Sequence, residues 1–318
     1  MNFNSDDKSS ESHWALILGG SSGFGLATAK KLAENGMNIM VVHRDRRGAM
    51  KNIQPQFDQI ATNNNIKFFT MNIDALSEKG RGEIISTLKD CMGESGKVRL
   101  LLHSIAFGNL RPIVPSKKEN QAEIAVAKLA EKLGVNTDQV NTAVADLLDE
   151  GISELHTLQE VDYGSNVLGD EDMEQTIYNM GTSLLTWVQD VFNAEIFAKD
   201  ARVIGLTSEG NTVAWKGYGA VAAAKVALES VSRAIAVEFA AYGIRSNILQ
   251  PGVTPTPALK LIPGHHQMES VAKMRNPFSR TTTPQDVANV VALMCTDEAS
   301  WINGTIIRVD GGEHVASL

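Results

Sequence analysis

Short runs of aliphatic and β-branched residues alternate with longer amphipathic stretches from residue 14 onward. This alternation is typical of βαβ units, in which helices connect parallel strands and cover both faces of one sheet. The predicted strands lie at residues 14–18, 38–42, 66–71, 98–103, 201–207, 244–249 and 304–309. The sequence therefore predicts an α/β fold with a doubly wound, seven-stranded parallel sheet.

A glycine-rich turn follows the first predicted strand and leads into a helix, in the stretch LILGGSSGFGLATAKKLAENG. Such a turn lets a pyrophosphate approach the amides at the helix start, where the helix dipole favours an anion. A glycine pattern alone is a weak signal, and a turn with spare glycines is the alternative. Its place after the first strand favours dinucleotide binding in a sheet of the Rossmann type. The predicted contacts are Gly19, Ser21, Ser22, Gly23, Phe24 and Gly25.

The end of the second strand carries arginine where a carboxylate would hold the adenosine ribose of NADH. Arg44, with two further arginines close by, offers a guanidinium that suits a 2′-phosphate, while Asp45 is expected to point to the other side. The sequence therefore predicts NADPH, because a merely solvated basic loop would leave the missing acid unexplained. Asn72 and Ile73, at the end of the third strand, are predicted to contact the adenine, with ordinary strand-end packing as the alternative.

One segment, from about residue 114 to 165, interrupts the alternation because no strand is predicted there. Two amphipathic stretches within it end at Gly134 and Gly151, so we expect an inserted pair of helices. Residues 116–160 hold four lysines and nine carboxylates, a balance that repels phosphates and argues against a DNA-reading helix-turn-helix. A lid or an interface element is the expectation.

A flexible tail is expected at residues 1–13, ahead of a single dinucleotide-binding catalytic domain at residues 14–318. The chain has no apolar run of about 20 residues, and its opening lacks the basic and then apolar pattern of a signal peptide. We therefore expect a cytoplasmic protein with no membrane partner, in which Cys91 and Cys295 are reduced and buried. The net charge of −8 argues against nucleic acid as the main partner.

Three motifs together carry a resemblance to a known family. They are GGSSGFG (19–25) after the first strand, PGVTPT (251–256) after the sixth, and INGTIIRVDGG (302–312) around the seventh. They are similar to the glycine motif, the nicotinamide-side motif and the C-terminal strand and turn of the short-chain dehydrogenase/reductase family. The similarity covers nearly all of the chain except the tail and the insert. It implies further cofactor contacts at Ser104, Ile105, Ala106, Pro251, Gly252, Val253 and Thr256.

The active-site residues depart from the usual pattern of that family. The family has a lysine four residues after its catalytic tyrosine, but Ala222 stands at that distance from Tyr218, and Lys225 is the lysine available. The stretch after the fourth strand reads HSIA (103–106) instead of NNAG. The Tyr-x6-Lys spacing and the HSI tripeptide resemble the NADPH-dependent enoyl-acyl-carrier-protein reductases.

The longer spacing has a chemical interpretation. Seven residues of continuous helix span about 10.5 Å, so we expect Tyr218 in the turn before a helix and Lys225 within it. Enoyl reduction delivers hydride to the β-carbon, and charge develops on a distant enolate oxygen, so a more distant donor suits it. Tyr218 is the predicted donor to that oxygen and a candidate proton source. Lys225 is predicted to bind the nicotinamide ribose and to lower the pKa of the phenol.

Three further positions differ from the family pattern. Gly205 stands thirteen residues before the tyrosine, where the family has serine, and Met180 stands near the usual place of an asparagine. Enoyl reductases often have a second tyrosine ten residues before the catalytic one, and here that position is Ser208. Ser208 is a candidate to assist the substrate carbonyl, with a strand-end turn residue as the alternative.

The segment 255–280, where the family closes over its substrate, is locally basic in an acidic chain. Its charged residues are Lys260, Lys273, Arg275 and Arg280 against Glu269. This local excess of positive charge suits docking of an acidic carrier protein or a phosphopantetheine arm, and scattered solvated charges are the alternative. The adjacent His265 and His266 lack a third ligand at suitable spacing, so no metal site is expected.

The sequence thus predicts an oxidoreductase that uses NADPH to reduce a 2-enoyl thioester, with trans-2-enoyl-ACP of fatty-acid synthesis as the expected substrate. A 3-oxoacyl-ACP or other carbonyl reductase is the alternative, because one fold serves both chemistries. A non-catalytic NADP-sensing module that recruits a protein through the acidic insert is a third hypothesis. The resemblance also implies a homotetramer or dimer.

Overall fold

One parallel sheet organises the protein. The computed structural model describes residues 3, 11–115, 121–159 and 161–317. Among these residues the strands are β1 (Ser12–Leu18), β2 (Asn38–His43), β3 (Phe68–Asn72), β4 (Gly96–His103), β5 (Phe197–Leu206), β6 (Ile244–Pro251) and β7 (Ile306–Val309). Their order is β3-β2-β1-β4-β5-β6-β7, and every neighbouring pair is parallel. The order reverses between β1 and β4, where a crevice opens at the carboxyl ends of the strands.

Helices cover both faces of the sheet. In the described ranges they are α1 (Gly23–Glu34), α2 (Met50–Asn63), α3 (Glu78–Met92), α4 (Gln121–Leu133), α5 (Thr137–Asp149), α6 (Asp170–Ile177), α7 (Ser183–Asn193), α8 (Gly219–Glu238), α9 (His265–Arg275) and α10 (Pro284–Met294). Buried side chains of α1, α2 and α10 form one core against the sheet, and those of α3, α7 and α8 form the other. The predicted doubly wound, seven-stranded fold is confirmed.

The predicted strands differ from the observed ones mainly at their starts. β5 begins at Phe197, four residues before the predicted start, because Phe197 pairs with Val98 ahead of a register shift in the β4–β5 ladder. β7 lies at the edge of the sheet and begins at Ile306, two residues after the predicted start. Both differences come from pairing across strands, which a single sequence does not display.

The insert is the predicted pair of helices, with a small core of its own. The buried residues of that core are Val126, Ala130, Val140, Val144 and Leu148. Asn136 caps α5 by accepting a hydrogen bond from the backbone amide of Gln139 at 2.8 Å. Gly134 and Gly151 have φ angles of 69° and 89°, so each chain reversal uses the left-handed region that glycine tolerates.

The insert contacts α9, the helix that follows β6 and its loop. Lys273 Nζ donates to the Gly151 carbonyl at 2.8 Å, and Gln267 Nε2 donates to the Gln159 carbonyl at 2.7 Å. The short helical turn His156–Leu158 also packs on α9. This part of the chain therefore braces α9 from its outer side.

Most of the predicted flexible tail, residues 1–13, lies outside the described residues. Ser12 already belongs to β1, and the Phe3 amide donates to the Asn35 carbonyl at 2.7 Å. Cys91 and Cys295 are free thiols, but Cys91 is only partly buried. Within the ranges that the structure describes, none of the helices combines the length and apolar character needed to cross a membrane.

Two helical glycines offer a test of how closely α1 approaches the glycine turn. A Cβ on Gly25 would lie 2.3 Å from the Gly19 carbonyl oxygen, whereas a Cβ on Gly82, exposed in α3, would meet nothing within 4 Å. Gly25→Ala is therefore expected to lower the free energy of unfolding by about 1–3 kcal/mol. Gly82→Ala is expected to raise it by up to about 1 kcal/mol. Chemical denaturation measures both, and similar stabilities of the two variants would contradict the close approach.

Candidate active site

A cavity of about 270 Å³ opens at the carboxyl ends of the strands. The loops that follow β1, β4, β5 and β6 line it, together with the start of α8. The predicted site residues that line it are Gly19, Ser22, Gly23, Phe24, Ser104, Ile105, Ala106, Ser208, Tyr218, Lys225, Pro251, Gly252, Val253 and Thr256. The structure thus brings most of the predicted residues to one cleft. Five others do not line this cavity: Ser21, Gly25, Arg44, Asn72 and Ile73.

The glycine turn is pressed against the end of β4. Gly19 has a φ of 83°, and a Cβ there would lie 2.4 Å from the Ser104 carbonyl oxygen. Only glycine fits this turn without displacing backbone. Helix α1 begins at Gly23, which lines the cavity, and has no acidic residue in its first turn. The positive end of the helix dipole therefore lies at the cleft. These features fit a cofactor pyrophosphate.

Tyr218 and Ser208 meet at the N-terminal end of α8. Tyr218 is the residue before the first helical residue, with φ −103° and ψ 4°, and the preceding Gly217 has a φ of 77°. The tyrosine therefore lies in the turn before the helix, as the spacing predicts. Its hydroxyl is 3.2 Å from Ser208 Oγ. A phenol and a serine hydroxyl so placed can share one acceptor, such as a carbonyl oxygen.

Burial controls the acidity of the phenol. It raises the pKa of Tyr218 above its usual value, and the hydrogen bond with Ser208 opposes the rise. The expectation that Lys225 lowers this pKa is wrong, since the loss of water around the phenol outweighs the other effects. The hydroxyl therefore stays protonated at neutral pH, as a hydrogen-bond donor must.

Lys225 is buried two turns into α8, and its Nζ donates to the Leu206 carbonyl at 2.7 Å. Burial lowers the pKa of this ammonium to about 8, and the negative charge of Glu229 opposes the fall. Its neighbour His103 has a pKa of about 3, because burial and then the charge of Lys225 disfavour the imidazolium. A neutral histidine thus avoids a second buried cation beside the lysine.

Neutral His103 joins β4 to the start of α7. Its Nε2 is 2.8 Å from Ser183 Oγ, and the Ser183 hydroxyl donates to the Asn179 carbonyl at 3.0 Å. The serine proton is used in that second bond, so Nε2 of the imidazole carries the hydrogen that Ser183 accepts. The histidine of the HSIA stretch therefore makes a buried structural contact, whereas the next three residues line the cavity.

Asn179 is a site residue that the sequence analysis missed. It lies in a π-helical turn, Tyr178–Thr182, between α6 and α7, next to Met180, which lines the cavity. Its Nδ2 donates to the Phe107 carbonyl at 3.1 Å and so holds the loop after β4. The signal was an asparagine one position before Met180, but a π turn shifts the helical phase and was not expected.

Glu229 was also missed, and it is a buried carboxylate of α8. It accepts hydrogen bonds from the Thr207 hydroxyl and from Asn211 Nδ2, the latter at 2.6 Å. Thr207 and Asn211 flank Ser208, so Glu229 fixes the turn that carries the serine. The available signal was an acid four residues after Lys225, on a helix otherwise rich in small residues.

Near β2, the predicted phosphate-binding residue lies on an exposed rim. The Arg44 guanidinium is 4.5 Å from the Phe107 ring centre and 3.5 Å from Asp74 Oδ2. The neighbouring Asp45 places its carboxylate 2.9 Å from His43 Nδ1. Asn72 bonds both the backbone amide and the carbonyl of Asp45, at 3.0 Å each. The Asn72 side chain thus holds the loop that carries Arg44. The sequence had predicted a contact with the adenine for this residue.

Two groups expected to face the cofactor have partners within the protein. The Val253 amide is 3.2 Å from Glu313 Oε2, and Thr256 Oγ1 accepts from the Leu259 amide at 3.2 Å. A Cβ on Gly252 would lie 2.5 Å from Glu313 Oε2. The turn after β6 is therefore supported from below by a buried carboxylate, which no sequence motif indicated.

Acids from elsewhere offset the positive charge expected over residues 255–280. Arg275 pairs with Glu209 and Glu313, and Arg280 pairs with Asp286. The count of charges along the segment is therefore a poor guide to the field at this surface. Of the two adjacent histidines, His265 lies 3.5 Å from Glu269, and His266 lies 3.9 Å from Asp149.

Two family models together match most of the chain. A model of short chain dehydrogenases matches residues 13–150, and a model of enoyl-(acyl carrier protein) reductases matches residues 163–314. The chain belongs to the short-chain dehydrogenase/reductase family. This family consists of oxidoreductases that use nicotinamide cofactors, which agrees with the glycine turn at the start of α1.

Individual relatives are similar at modest identity. A probable 2,4-dienoyl-CoA reductase of Bacillus subtilis is 29% identical over 94% of this chain and 95% of its own length. The NADH-dependent enoyl-[acyl-carrier-protein] reductase of Xylella fastidiosa is 27% identical over 78% of this chain and 60% of its own length. Several other curated relatives match over less than half of their own length.

A solved structure shares the whole architecture. It is a short chain dehydrogenase of Burkholderia cenocepacia in complex with NADP, with a TM-score of 0.66, 18% identity, and coverage of 97% of this chain and 100% of that one. At this identity the likeness supports the fold alone.

The pKa of Lys225 implies that nucleotide binding depends on pH. Because the ammonium is lost as the pH rises through about 8, nicotinamide nucleotide binding is expected to weaken over that range. Glu229→Gln removes the charge that opposes the fall in pKa, so the weakening is expected at lower pH. Fluorescence titration of NADPH from pH 6 to 10 measures it, with exposed Glu238→Gln, on the same helix, as the control. Superimposable profiles of wild type and Glu229→Gln would refute this electrostatic coupling.

Proposed function

We propose that the protein reduces the 2,3 double bond of an enoyl thioester with hydride from NADPH, and that trans-2-enoyl-ACP of fatty-acid synthesis is its substrate. One observation carries the proposal: Tyr218 lies in the turn before α8, two helical turns from Lys225, with its hydroxyl beside Ser208 in an apolar cavity. This spacing suits an oxyanion that forms away from the carbon that accepts hydride.

Each side chain has a role in this mechanism. A nicotinamide held in the cleft would supply the hydride for the β-carbon of the substrate. Tyr218, protonated because burial raises its pKa, donates a hydrogen bond to the enolate oxygen, and Ser208 holds the phenol in place. Lys225 binds the nicotinamide ribose hydroxyls. A proton then adds to the α-carbon, with Tyr218 as a candidate source, and a saturated thioester results.

The lining of the cavity supports an acyl substrate. Its apolar side chains include Leu110, Met180, Val213, Trp215, Val221, Leu259, Leu261, Ile262 and Met268. They come from the loops after β4 and β5, the π turn, α8, and the stretch before and within α9. An aliphatic chain would exchange water for these surfaces, at about 25 cal/mol for each Å² of apolar area buried.

The preference for NADPH is proposed from the residues after β2. Arg44 stands where a carboxylate would favour NADH, and Asp45 is engaged with His43. The Xylella relative is named for NADH and the Burkholderia structure holds NADP, so relatives alone do not choose the cofactor.

A second candidate, 2,4-dienoyl-CoA reduction, is favoured by the Bacillus relative, which matches nearly the whole chain. A dienoyl thioester also accumulates charge on its thioester oxygen, so the same tyrosine could serve. Reduction of a 3-oxoacyl thioester stays the alternative from the sequence, in which the oxygen that gains charge adjoins the carbon that accepts hydride.

We also propose a cytoplasmic homo-oligomer. Val226 and Val237 lie exposed on α8, at 47% and 78% of their surface, and the small residues of this helix would let a second copy pack closely. Light scattering of the purified protein gives the oligomeric state.

The substrate is tested by following NADPH oxidation with crotonyl, 2,4-hexadienoyl and acetoacetyl thioesters. We expect turnover of crotonyl thioester, and a fall in kcat of about 10²–10³-fold in Tyr218→Phe, because the donor to the oxyanion is lost. Tyr242→Phe, at an exposed tyrosine, is the matched control. Exclusive turnover of the acetoacetyl compound would overturn the enoyl assignment, and exclusive turnover of the dienoyl compound would replace it with the second candidate.

The cofactor preference has a separate test. Arg44→Ala is expected to weaken NADPH binding about tenfold to hundredfold, since a charge-assisted hydrogen bond contributes about 1.5–3 kcal/mol. NADH binding should change little because it lacks the 2′-phosphate. Titrations of both nucleotides measure the effect, with Arg233→Ala, at an exposed arginine of α8, as the control. Equal losses for NADPH and NADH would count against phosphate recognition by Arg44.

A further inference from the structure

Arg275, the last residue of α9, lies between two carboxylates that come from different loops. Its Nη2 is 2.6 Å from Glu209 Oε2 and 3.3 Å from Glu313 Oε1. The Arg275 and Glu209 side chains are about one-fifth exposed, whereas that of Glu313 is 2% exposed. One guanidinium thus joins three segments that are distant in sequence.

The first carboxylate belongs to the catalytic loop. Glu209 lines the cavity and directly follows Ser208, whose Oγ contacts the Tyr218 hydroxyl. Glu209 also lies 3.4 Å from His314 Nδ1. A shift of Glu209 would therefore move the backbone that places Ser208 beside the phenol.

The second carboxylate supports the turn after β6. Glu313 accepts a hydrogen bond from the Val253 amide and packs so closely under Gly252 that a Cβ there would clash. Burial raises the pKa of Glu313, while Arg275 and the Val253 amide oppose the rise. Without Arg275 this buried carboxylate would lose its cationic partner, at a considerable cost in free energy.

The guanidinium itself ends a helix that walls the substrate cavity. Met268 of α9 lines the cavity, and Gln267 and Lys273 contact the insert on the other side. Arg275 thus attaches the end of α9 to the loops of the cleft.

We propose that Arg275 is a positioning residue that couples the α9 wall to both the Ser208–Tyr218 pair and the Gly252–Val253 turn. The α9 wall, the tyrosine–serine pair and the turn after β6 then adopt their active positions together. The effect on turnover rests on the function proposed above, but the effect on cofactor binding does not.

The test compares Arg275→Met with Arg280→Met, which removes the same group from an exposed ion pair five residues further on. Dissociation constants of NADPH and NADH come from fluorescence titration, and kcat and KM from the crotonyl thioester assay. For Arg275→Met we expect both dissociation constants to rise about tenfold and kcat to fall about tenfold, because the cleft groups are displaced. Arg280→Met should stay within about twofold of wild type.

Two further variants distinguish the effects of the two ion pairs of Arg275. Glu209→Gln keeps the Glu313–Val253 contact, so it is expected to lower kcat with little change in nucleotide affinity. Glu313→Gln can still accept from Val253 but loses its charge, so it is expected mainly to weaken nucleotide binding. Arg275→Lys retains the charge without the planar fork and should restore part of both losses.

A structural role alone predicts a different result. If Arg275→Met lowers the melting temperature but leaves the dissociation constants and kcat within about twofold of wild type, the proposal is overturned. If that variant does not fold, Arg275→Lys and Glu209→Gln decide, and wild-type behaviour in both overturns it. Absence of turnover with every thioester would refute the proposed function. The nucleotide titrations would still test the coupling of α9 to the cleft through Arg275.

Discussion

The buried ammonium of Lys225 is the constraint around which the cleft is arranged. A charge removed from water needs partners, and here the Leu206 carbonyl and the negative charge of Glu229 provide them. The nearby imidazole of His103 stays neutral. Glu229 in turn holds the residues on either side of Ser208. One buried cation on α8 thus determines which charges its surroundings can carry and how the end of β5 turns toward the tyrosine.

Local patterns were sufficient to predict the sheet and the place of the cleft. Short aliphatic and β-branched strands, amphipathic helices and a glycine turn before α1 are encoded in consecutive residues, and so is the Tyr218–Lys225 spacing. The helix pair of the insert was also predicted, because Gly134 and Gly151 are local signals that end a helix. These features require no knowledge of which distant segments meet.

Contacts between distant segments explain what the sequence did not predict. Glu313 is 60 residues from Val253, and Arg275 is paired with acids before and after it in the chain, so charge counted along residues 255–280 was misleading. Desolvation reversed the expected pKa shift of Tyr218 for a similar reason, because burial depends on the whole fold. Asn179 was hidden by a π turn, which changes the direction of side chains relative to a regular helix.

The small core of the insert has a consequence for motion. Its five buried aliphatic residues are separate from the two large clusters that flank the sheet. Local unfolding of α4 and α5 should therefore cost less free energy than unfolding of the sheet, and their amides should exchange with solvent sooner. Because the insert contacts α9, transient loosening there would leave the cavity wall around Met268 less constrained while the strands stay intact.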